Sequence, residues 1–476
     1  MKVLLNCPGF SYDVHSLVKA FYPEEDVGIV SEDQDCDIRI LVADDKITVS
    51  TARSGQLTTA VREINDKTRP SVKNDLKHIL YDVLSDVTKT ELPWGTMTGI
   101  RPVKVPMKMI NEGASDDQIA DYMKSVYLCS DEKIRLAISV AKRERDVIND
   151  LTPGGFSLYV GIPFCPTTCL YCSFTSYPIA SWSDRVDDYL KALKCEIDYF
   201  SEYYGGRCPD SVYIGGGTPT TLTPGQLSDL IGYINGSFDC SNIREFTVEA
   251  GRPDSITDDK LEVLHSSGVT RISINPQTMN DRTLKIIGRS HTTAEVYRSF
   301  EAARKAGFTN INTDLILGLP GEDEDDVSNT FEKISELKPD SITVHSMAIK
   351  RAANMHRYLE EHSDIRSINN PEIMNIADKG ARSLGLVPYY LYRQKNMSGN
   401  FENVGYAREG CFGIYNIVIM EEVTDIAAVG AGTISKRVYP DGRIERCDNV
   451  KDVSLYINKI DEMIERKRKL FTEKGK

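Results

Sequence analysis

The chain has 476 residues, a hydrophobic content of 41% and a formal net charge of -13. This length exceeds one ordinary hydrophobic core and predicts roughly two or three domains. No run approaches the ~18 consecutive apolar residues of a membrane span, and no cluster of Lys and Arg predicts a nucleic-acid groove. Because the first residues are typical of a β-strand and not of a signal peptide, we expect a cytoplasmic protein.

The first 92 residues predict a small α+β domain. Three strands and two helices are predicted there, at 2–5, 38–42, 47–51, 14–20 and 72–85. A loop rich in Pro and Gly follows (LPWGTMTGIRPVKV), and the next stretch combines helical periodicity with high charge. We therefore assign residues 93–155 to a helical connector that ends at the breaker sequence LTPGG.

Residues 156–350 alternate between strand-like and helix-like segments. The strands are predicted at 158–164, 211–214, 246–249, 271–275, 311–317 and 341–344. Six βα units imply a parallel sheet, because parallel neighbours need crossover connections. Right-handed crossovers would curl that sheet into a partial (β/α)6 barrel of the α/β class, with functional side chains at the carboxyl ends of its strands. Residues 351–476 are assigned to a C-terminal α+β extension that covers the substrate.

Three of the 11 cysteines form a compact motif directly after the first of these strands. The sequence CPTTCLYC gives Cys165, Cys169 and Cys172 a C-x3-C-x2-C spacing. Three thiolates in one loop can converge on an iron–sulfur cluster, and one iron would then lack a protein ligand. Zinc is the competing interpretation, although a structural zinc site usually needs four protein ligands. The other cysteines are scattered, and we interpret them as small hydrophobic residues.

Glycine or polar residues lie near the ends of the next four strands. The second strand leads into Gly216, Gly217 and Thr218, where glycine lets a ligand approach the backbone. The following strands carry Glu249, Gln277 and Asp314, in that order. A tight turn or a loop hydrogen bond explains each residue alone equally well. As a set at one edge of a sheet, they predict a site for hydroxyl or ammonium groups.

The segment from Tyr159 to Ala348 resembles the radical S-adenosylmethionine (radical SAM) superfamily. The resemblance implies a [4Fe–4S] cluster on the three cysteines, with the amino and carboxylate groups of SAM on the fourth iron. Reductive cleavage of SAM would then give an adenosyl radical that abstracts hydrogen from the substrate. Arg289 would pair with the SAM carboxylate. The residues that would contact SAM are Tyr159, Tyr171, Gly216, Gly217, Thr218, Glu249, Gln277, Arg289, Asp314 and Ala348.

The motifs YVGIPFC, GGGTPT, VEAGRPD and LILGLPGE are similar to those of the oxygen-independent coproporphyrinogen III oxidase group. The N-terminal extension, CSFTSYPI and YYLYRQKN resemble its coproporphyrinogen dehydrogenase (HemZ) branch. That resemblance implies a tetrapyrrole substrate, two of whose propionates are oxidatively decarboxylated to vinyl groups. It also implies a low-potential electron donor such as flavodoxin or ferredoxin. The best-known enzyme of the group has a fourth cysteine at the position of Phe174, where haem chaperones of the group also have Phe.

Two other interpretations stay open, a haem chaperone that keeps the cluster and an anaerobic haem-modifying radical SAM enzyme. The long N-terminal extension argues against the chaperone. Arg393 and Lys395 are candidate partners of substrate carboxylates, and a solvated pair in a loop is the equal alternative. Residues 414–422 are interpreted as a strand that carries Asn416 toward the site.

Overall fold

A computed structural model of the chain describes residues 1–23, 25–31, 35–53, 55, 57–348, 355–362, 365–394 and 401–472. The chain divides into two compact units. The first is Met1–Lys142 with Leu391–Glu402, and the second is Arg143–Tyr390 with Asn403–Lys476. The finer division predicted from the sequence, at residues 92, 155 and 350, stays a prediction. Over the described ranges, no helix is long and apolar enough to cross a membrane.

The first unit contains a five-stranded mixed sheet. Its strands are β1 (Lys2–Leu5), β2 (Gly28–Val30), β3 (Ile38–Val42), β4 (Lys46–Thr51) and β5 (Thr58–Glu63), in the order β2-β1-β3-β4-β5. Its helices are α1 (Ser11–Phe21), α2 (Arg69–Thr88), α3 (Lys104–Asn111) and α4 (Asp116–Tyr127). The buried faces of α1, α2 and the sheet form one hydrophobic core, because alternate residues such as Ile38, Ile40, Ile47 and Val49 point to the same side.

The second unit is built on an eleven-stranded sheet. The helix α5 (Asp131–Asn149) contains the boundary between the units. The strands of this sheet, in chain order, are β6 (Phe156–Ile162), β9 (Ser211–Gly216), β10 (Glu245–Gly251), β11 (Arg271–Ile274), β12 (Ile311–Leu317), β13 (Ser341–Ser346), β14 (Val387–Tyr392), β15 (Asn403–Ala407), β16 (Asp425–Val429), β17 (Ile434–Val438) and β18 (Ile444–Asp448). Two short strands, β7 (Phe164–Cys165) and β8 (Tyr177–Pro178), pair with each other in a separate sheet.

The strands β6, β9, β10, β11, β12 and β13 are neighbours in chain order, and every adjacent pair is parallel. The predicted parallel sheet of βα units is therefore confirmed. The helices between these strands are α6 (Val186–Tyr204), α7 (Pro224–Ser237), α8 (Asp258–Ser266), α9 (Asp281–Ile286), α10 (Thr293–Lys305) and α11 (Glu324–Leu337). Local sequence sets where some of them begin. At α7, the Thr223 hydroxyl accepts from the Gln226 N–H and the Gln226 side chain accepts from the Thr223 N–H, a capping box.

Strands from the C-terminal part of the chain extend both edges of this sheet. The strand β16 pairs in parallel with β6, and β15 pairs antiparallel with β13. The remaining helices are α12 (Met355–Glu361), α13 (Pro371–Ser383), α14 (Ile414–Glu421), α15 (Val453–Asn458) and α16 (Ile460–Thr472).

The strand predicted at 414–422 is wrong, because this segment is the helix α14. A short apolar run does not distinguish a strand from a buried helix by its pattern alone. The carboxylate of Glu245 accepts a hydrogen bond from the Ile414 N–H and so satisfies a donor in the first turn of the helix. Asn416 donates to the Tyr389 hydroxyl at 3.1 Å.

Candidate functional site

One face of the parallel sheet is polar. Alternate residues bring Tyr213 of β9, Glu249 of β10 and Asp314 of β12 to this face, and hydrogen bonds link several of its side chains. Tyr213 donates to Glu249 Oε1 at 2.6 Å, and Asn312 donates to Asp314 Oδ1 at 2.8 Å. His345 of β13 has Nε2 at 3.8 Å from Asp314 Oδ2. The residues of the other face are buried and, apart from Thr313 and Ser346, mostly apolar, so the two faces have different chemical roles.

The cysteine motif begins with Cys165, the last residue of β7, and ends before β8. Cys169 is buried, and Cys165 and Cys172 are half-buried. Burial raises the pKa of the Cys165 and Cys172 thiols, and the nearby Cys169 thiol raises both further. The three thiols therefore lie within electrostatic range of one another. In the part of the chain that the structure describes, no three His, Cys, Asp or Glu side chains are arranged to hold a single metal ion.

The segment after β9 contacts the start of the cysteine loop. The hydroxyl of Thr218 donates to Cys165 Sγ at 3.6 Å. Gly217 has no room for a side chain, because a Cβ there would lie 2.6 Å from the Phe164 carbonyl oxygen and 3.0 Å from Cys165 Sγ. Gly216 has φ of 108°, a conformation that favours glycine. This turn therefore requires glycine for two separate physical reasons.

The segments after β10 and β11 contact the rest of the loop. Arg252 donates from Nη1 to Thr167 Oγ1 at 2.7 Å, and the same nitrogen lies 4.0 Å from Cys169 Sγ. After β11, Arg289 donates from Nη2 to the Tyr171 hydroxyl at 2.9 Å. Segments that are distant in the sequence thus converge on one loop at the carboxyl ends of the strands.

The two carboxylates of this face have different electrostatic surroundings. Burial and the charge of Asp314 raise the pKa of Glu249, and the hydrogen bond from Tyr213 opposes them. The resulting pKa is about 7. Burial would also raise the pKa of Asp314, but the interaction with His345, 3.8 Å away, and the hydrogen bond from Asn312 outweigh it and lower that pKa. Near neutral pH, Asp314 is therefore ionised and Glu249 is close to its titration point.

Three buried side chains at this edge keep polar atoms without a hydrogen-bond partner among the described residues, namely Gln277 Oε1, Arg289 Nε and both ring nitrogens of His291. Gln277 is 7% exposed and has φ of 72°, a strained conformation for a residue other than glycine. Burial and the charge of Arg289 lower the pKa of His291 to about 4, so its ring is neutral. A buried polar atom without a partner costs about 1–3 kcal/mol, which points to a ligand at this edge.

The other residues predicted from the sequence lie at different places relative to this site. Tyr159 stacks with Tyr213 and with Tyr415, at ring-centroid distances of 6.1 and 5.6 Å. Ala348 is half-buried and follows β13 by two residues. Arg393 belongs to the first unit, is 4% exposed and donates to the Met97 carbonyl, and its burial lowers its pKa to about 10. Lys395 lies outside the described residues.

Four residues at this edge were missed by the sequence analysis. Tyr213 and His345 could have been found from the alternation along their strands, which gives them the same face as Glu249 and Asp314. Arg252 stands within the motif VEAGRPD, but its contact with the cysteine loop depends on the fold. His291 follows Arg289 by two residues and has no comparable signal.

A family model described as "Radical SAM superfamily" matches residues 159–334. The oxygen-independent coproporphyrinogen-III oxidase-like protein HemZ of Bacillus subtilis (strain 168) is 40% identical over 404 residues, which are 84% of this chain and 81% of HemZ. The heme chaperone HemW of the same organism is 34% identical over 259 residues, which are 50% of this chain and 68% of HemW. The solved structure of coproporphyrinogen III oxidase (HemN) from Escherichia coli has a TM-score of 0.53 at 23% identity, over 67% of this chain and 72% of that chain.

The fold and the family match define a radical SAM protein, the class predicted from the sequence motifs. Since the identity with HemZ extends over most of both proteins, the chain belongs to the HemZ-like family of that superfamily. The predicted fold class is confirmed. Membership of the superfamily implies a [4Fe–4S] cluster and SAM as cofactors.

Proposed function

We propose that the chain is a radical SAM oxidoreductase that holds a [4Fe–4S] cluster on Cys165, Cys169 and Cys172. The observation that carries this proposal is the convergence of successive strand ends on the cysteine loop, through Thr218 and Arg289 among others. The donor set fits such a cluster, because three thiols of one short loop supply sulfur ligands and leave one iron without a protein ligand. When bound, the cluster supplies an electron and SAM supplies the radical that removes hydrogen from the substrate.

The polar residues beside the loop suit the functional groups of SAM. Arg289 remains a cation, since Tyr171 and Cys169 favour its charged form over the opposing effect of burial, and its Nε is available for a carboxylate. Gln277 Oε1 can accept from an N–H or O–H group, and the ionised Asp314 attracts an ammonium. Glu249 can exchange hydrogen bonds with hydroxyl groups. We extend the same assignment to Tyr159, Tyr171, Gly216, Gly217, Thr218 and Ala348.

For the substrate, we propose coproporphyrinogen III, two of whose four propionates would become the vinyl groups of protoporphyrinogen IX. Each reacting propionate would lose one hydrogen atom, one CO2 and one electron, which passes to an external acceptor. A low-potential flavodoxin or ferredoxin would supply the electron that cleaves SAM. Similarity to HemZ over most of the chain supports this substrate.

A haem carrier is the second candidate, and similarity to the heme chaperone HemW favours it. Such a protein would keep the cluster and bind haem without converting coproporphyrinogen. Phe174 suits either candidate, because it is 71% exposed and lies two residues after Cys172.

Anaerobic turnover tests the proposal. The protein is reconstituted with iron and sulfide and supplied with SAM, dithionite and coproporphyrinogen III, and chromatography follows 5′-deoxyadenosine and the porphyrins. We expect vinyl products and deoxyadenosine in matching amounts. Deoxyadenosine without any change in the porphyrin would reject this substrate, and a haem titration of the same preparation would then test the carrier. A methylated or ring-opened tetrapyrrole would instead indicate a haem-modifying enzyme.

A further inference from the structure

Arg252, which was not predicted from the sequence as a site residue, makes several polar contacts with the cysteine loop. Its Nη1 donates to both the carbonyl oxygen and the hydroxyl of Thr167, at 3.1 and 2.7 Å, and lies 4.0 Å from Cys169 Sγ. The residue is 3% exposed. A buried guanidinium therefore faces a thiol of the motif across a short distance.

The other side of the guanidinium is fixed by Asp254. Nε and Nη2 of Arg252 donate to the two carboxylate oxygens of Asp254, at 2.9 and 2.6 Å. This two-pronged pair sets the plane of the guanidinium, so that Nη1 can only point toward the loop. Burial would raise the pKa of Asp254, but its hydrogen bonds and charge interaction with Arg252 lower it, which keeps the pair ionised.

The loop is also attached to the segment after α9. Thr167 donates from its hydroxyl to the Gly288 carbonyl at 3.4 Å, and the Leu170 N–H donates to the Ile287 carbonyl at 3.0 Å. Arg252 and these contacts thus hold the segment that carries Cys169 through separate hydrogen bonds.

We propose that Arg252 is a positioning residue that holds the Thr167–Cys169 segment and directs a positive charge at the Cys169 sulfur, which makes the bound cluster easier to reduce. The inference rests on the proposed cluster site. Reduction adds a negative charge to the cluster, and a nearby cation or N–H donor stabilises the reduced form more than the oxidised form. Arg252 thereby favours the electron transfer that must precede SAM cleavage.

The experiment compares wild type, Arg252→Gln and Arg252→Lys after anaerobic reconstitution, without SAM or substrate. A redox titration followed by electron paramagnetic resonance gives the midpoint potential of the cluster. We expect Arg252→Gln to shift the midpoint to more negative potential, and Arg252→Lys to restore part of the shift because it keeps the charge. Hydrogen exchange of the metal-free proteins is the second readout. Amides of residues 165–172 should exchange faster in both variants, because neither forms the two-pronged pair with Asp254.

Arg304→Gln is the matched control. Arg304 also pairs with a buried carboxylate, Asp340 at 2.8 Å, and donates to the Phe308 and Lys338 carbonyls, but it lies near the starts of the strands. Its loss should change neither the midpoint nor the exchange of the cysteine loop.

An unchanged midpoint in Arg252→Gln would overturn the inference. If that variant does not fold, unchanged loop exchange in Arg252→Lys would overturn it equally. Failure of the proposed function looks different, because the wild type itself would then hold no iron–sulfur cluster.

Discussion

Two regions of the second unit bury charged groups, and they differ in how those groups are satisfied. In the first region, Glu196 and Lys467 form a fully buried ion pair. Glu196 also accepts from the Gly430 N–H at 2.7 Å, from Asn449 at 2.9 Å and from the Tyr456 hydroxyl at 2.5 Å. Lys467 donates to Asn449 as well. This cluster, the Glu196 cluster, uses its charges to attach α15 and α16 to α6 and to the residues that follow β16 and β18.

At the carboxyl ends of the parallel strands, the charged groups are only partly satisfied by the protein. Among the described residues, Gln277, Arg289 and His291 keep buried polar atoms without partners. The difference teaches that buried charge alone does not mark a ligand site. A cluster of buried polar atoms without partners, at the carboxyl ends of parallel strands, is the better mark of such a site.

The first prediction, which has the largest expected effect, concerns the three cysteines of the loop. Changing Cys165, Cys169 or Cys172 to Ala should abolish both iron binding and SAM cleavage, because each removes a thiolate ligand from the cluster. Iron and sulfide analysis, with deoxyadenosine formation, measures the loss. Cys195→Ala is the control, since that cysteine is exposed on α6. SAM cleavage that survives any of the three changes would contradict the ligand assignment.

The second prediction concerns the Glu196 cluster. Glu196→Ala leaves Lys467 buried without its carboxylate, which should lower the free energy of unfolding of the metal-free protein by about 3–5 kcal/mol. Urea denaturation measures this loss. After reconstitution with iron and sulfide, the folded protein should bind SAM with wild-type affinity. Weakened SAM binding by the folded fraction would remove the distinction between the two regions.

The third prediction is a pH effect at Glu249. The pKa of this buried carboxyl is raised to about 7 from its ordinary value of 4.5, so the native state binds more protons than the unfolded state between those values. The contribution of the Glu249 carboxyl to the free energy of unfolding is therefore fully present below about pH 4.5 and is lost as pH rises through about 7. The total loss is up to roughly 3 kcal/mol. Relative to wild type, Glu249→Gln should gain stability over this range in urea denaturation of the metal-free protein. Parallel pH profiles for the two proteins would exclude a raised pKa.

The smallest expected effect tests an atom without a partner. Gln277→Met keeps the approximate volume of the side chain and removes Oε1, so the metal-free protein should lose no stability and gain up to about 1 kcal/mol. The same change should weaken SAM binding to the reconstituted protein roughly tenfold, through one lost hydrogen bond. Calorimetric titration with SAM measures this affinity. A loss of stability together with unchanged SAM affinity would assign Gln277 to the fold and not to the ligand.

The sequence by itself determined the succession of βα units, the position of the cysteine motif after the first strand, and the glycines that follow the second. These features depend on local patterns, namely the alternation along strands, helical periodicity and the conformational freedom of glycine. The alternation along the strands also indicates which residues share the polar face of the sheet, although Tyr213 and His345 were not predicted from it.

Only the tertiary structure decided which distant residues meet. The helix α14 replaces a predicted strand, and its first turn is satisfied by Glu245, which lies far away in the sequence. Arg393 is buried in the first unit and donates to a backbone carbonyl there. Arg252 reaches the cysteine loop because β10 ends beside it. The physical reason is the same in each case: a charged side chain takes its partner from whatever the packed chain brings near, and that proximity is not encoded in its neighbours along the sequence.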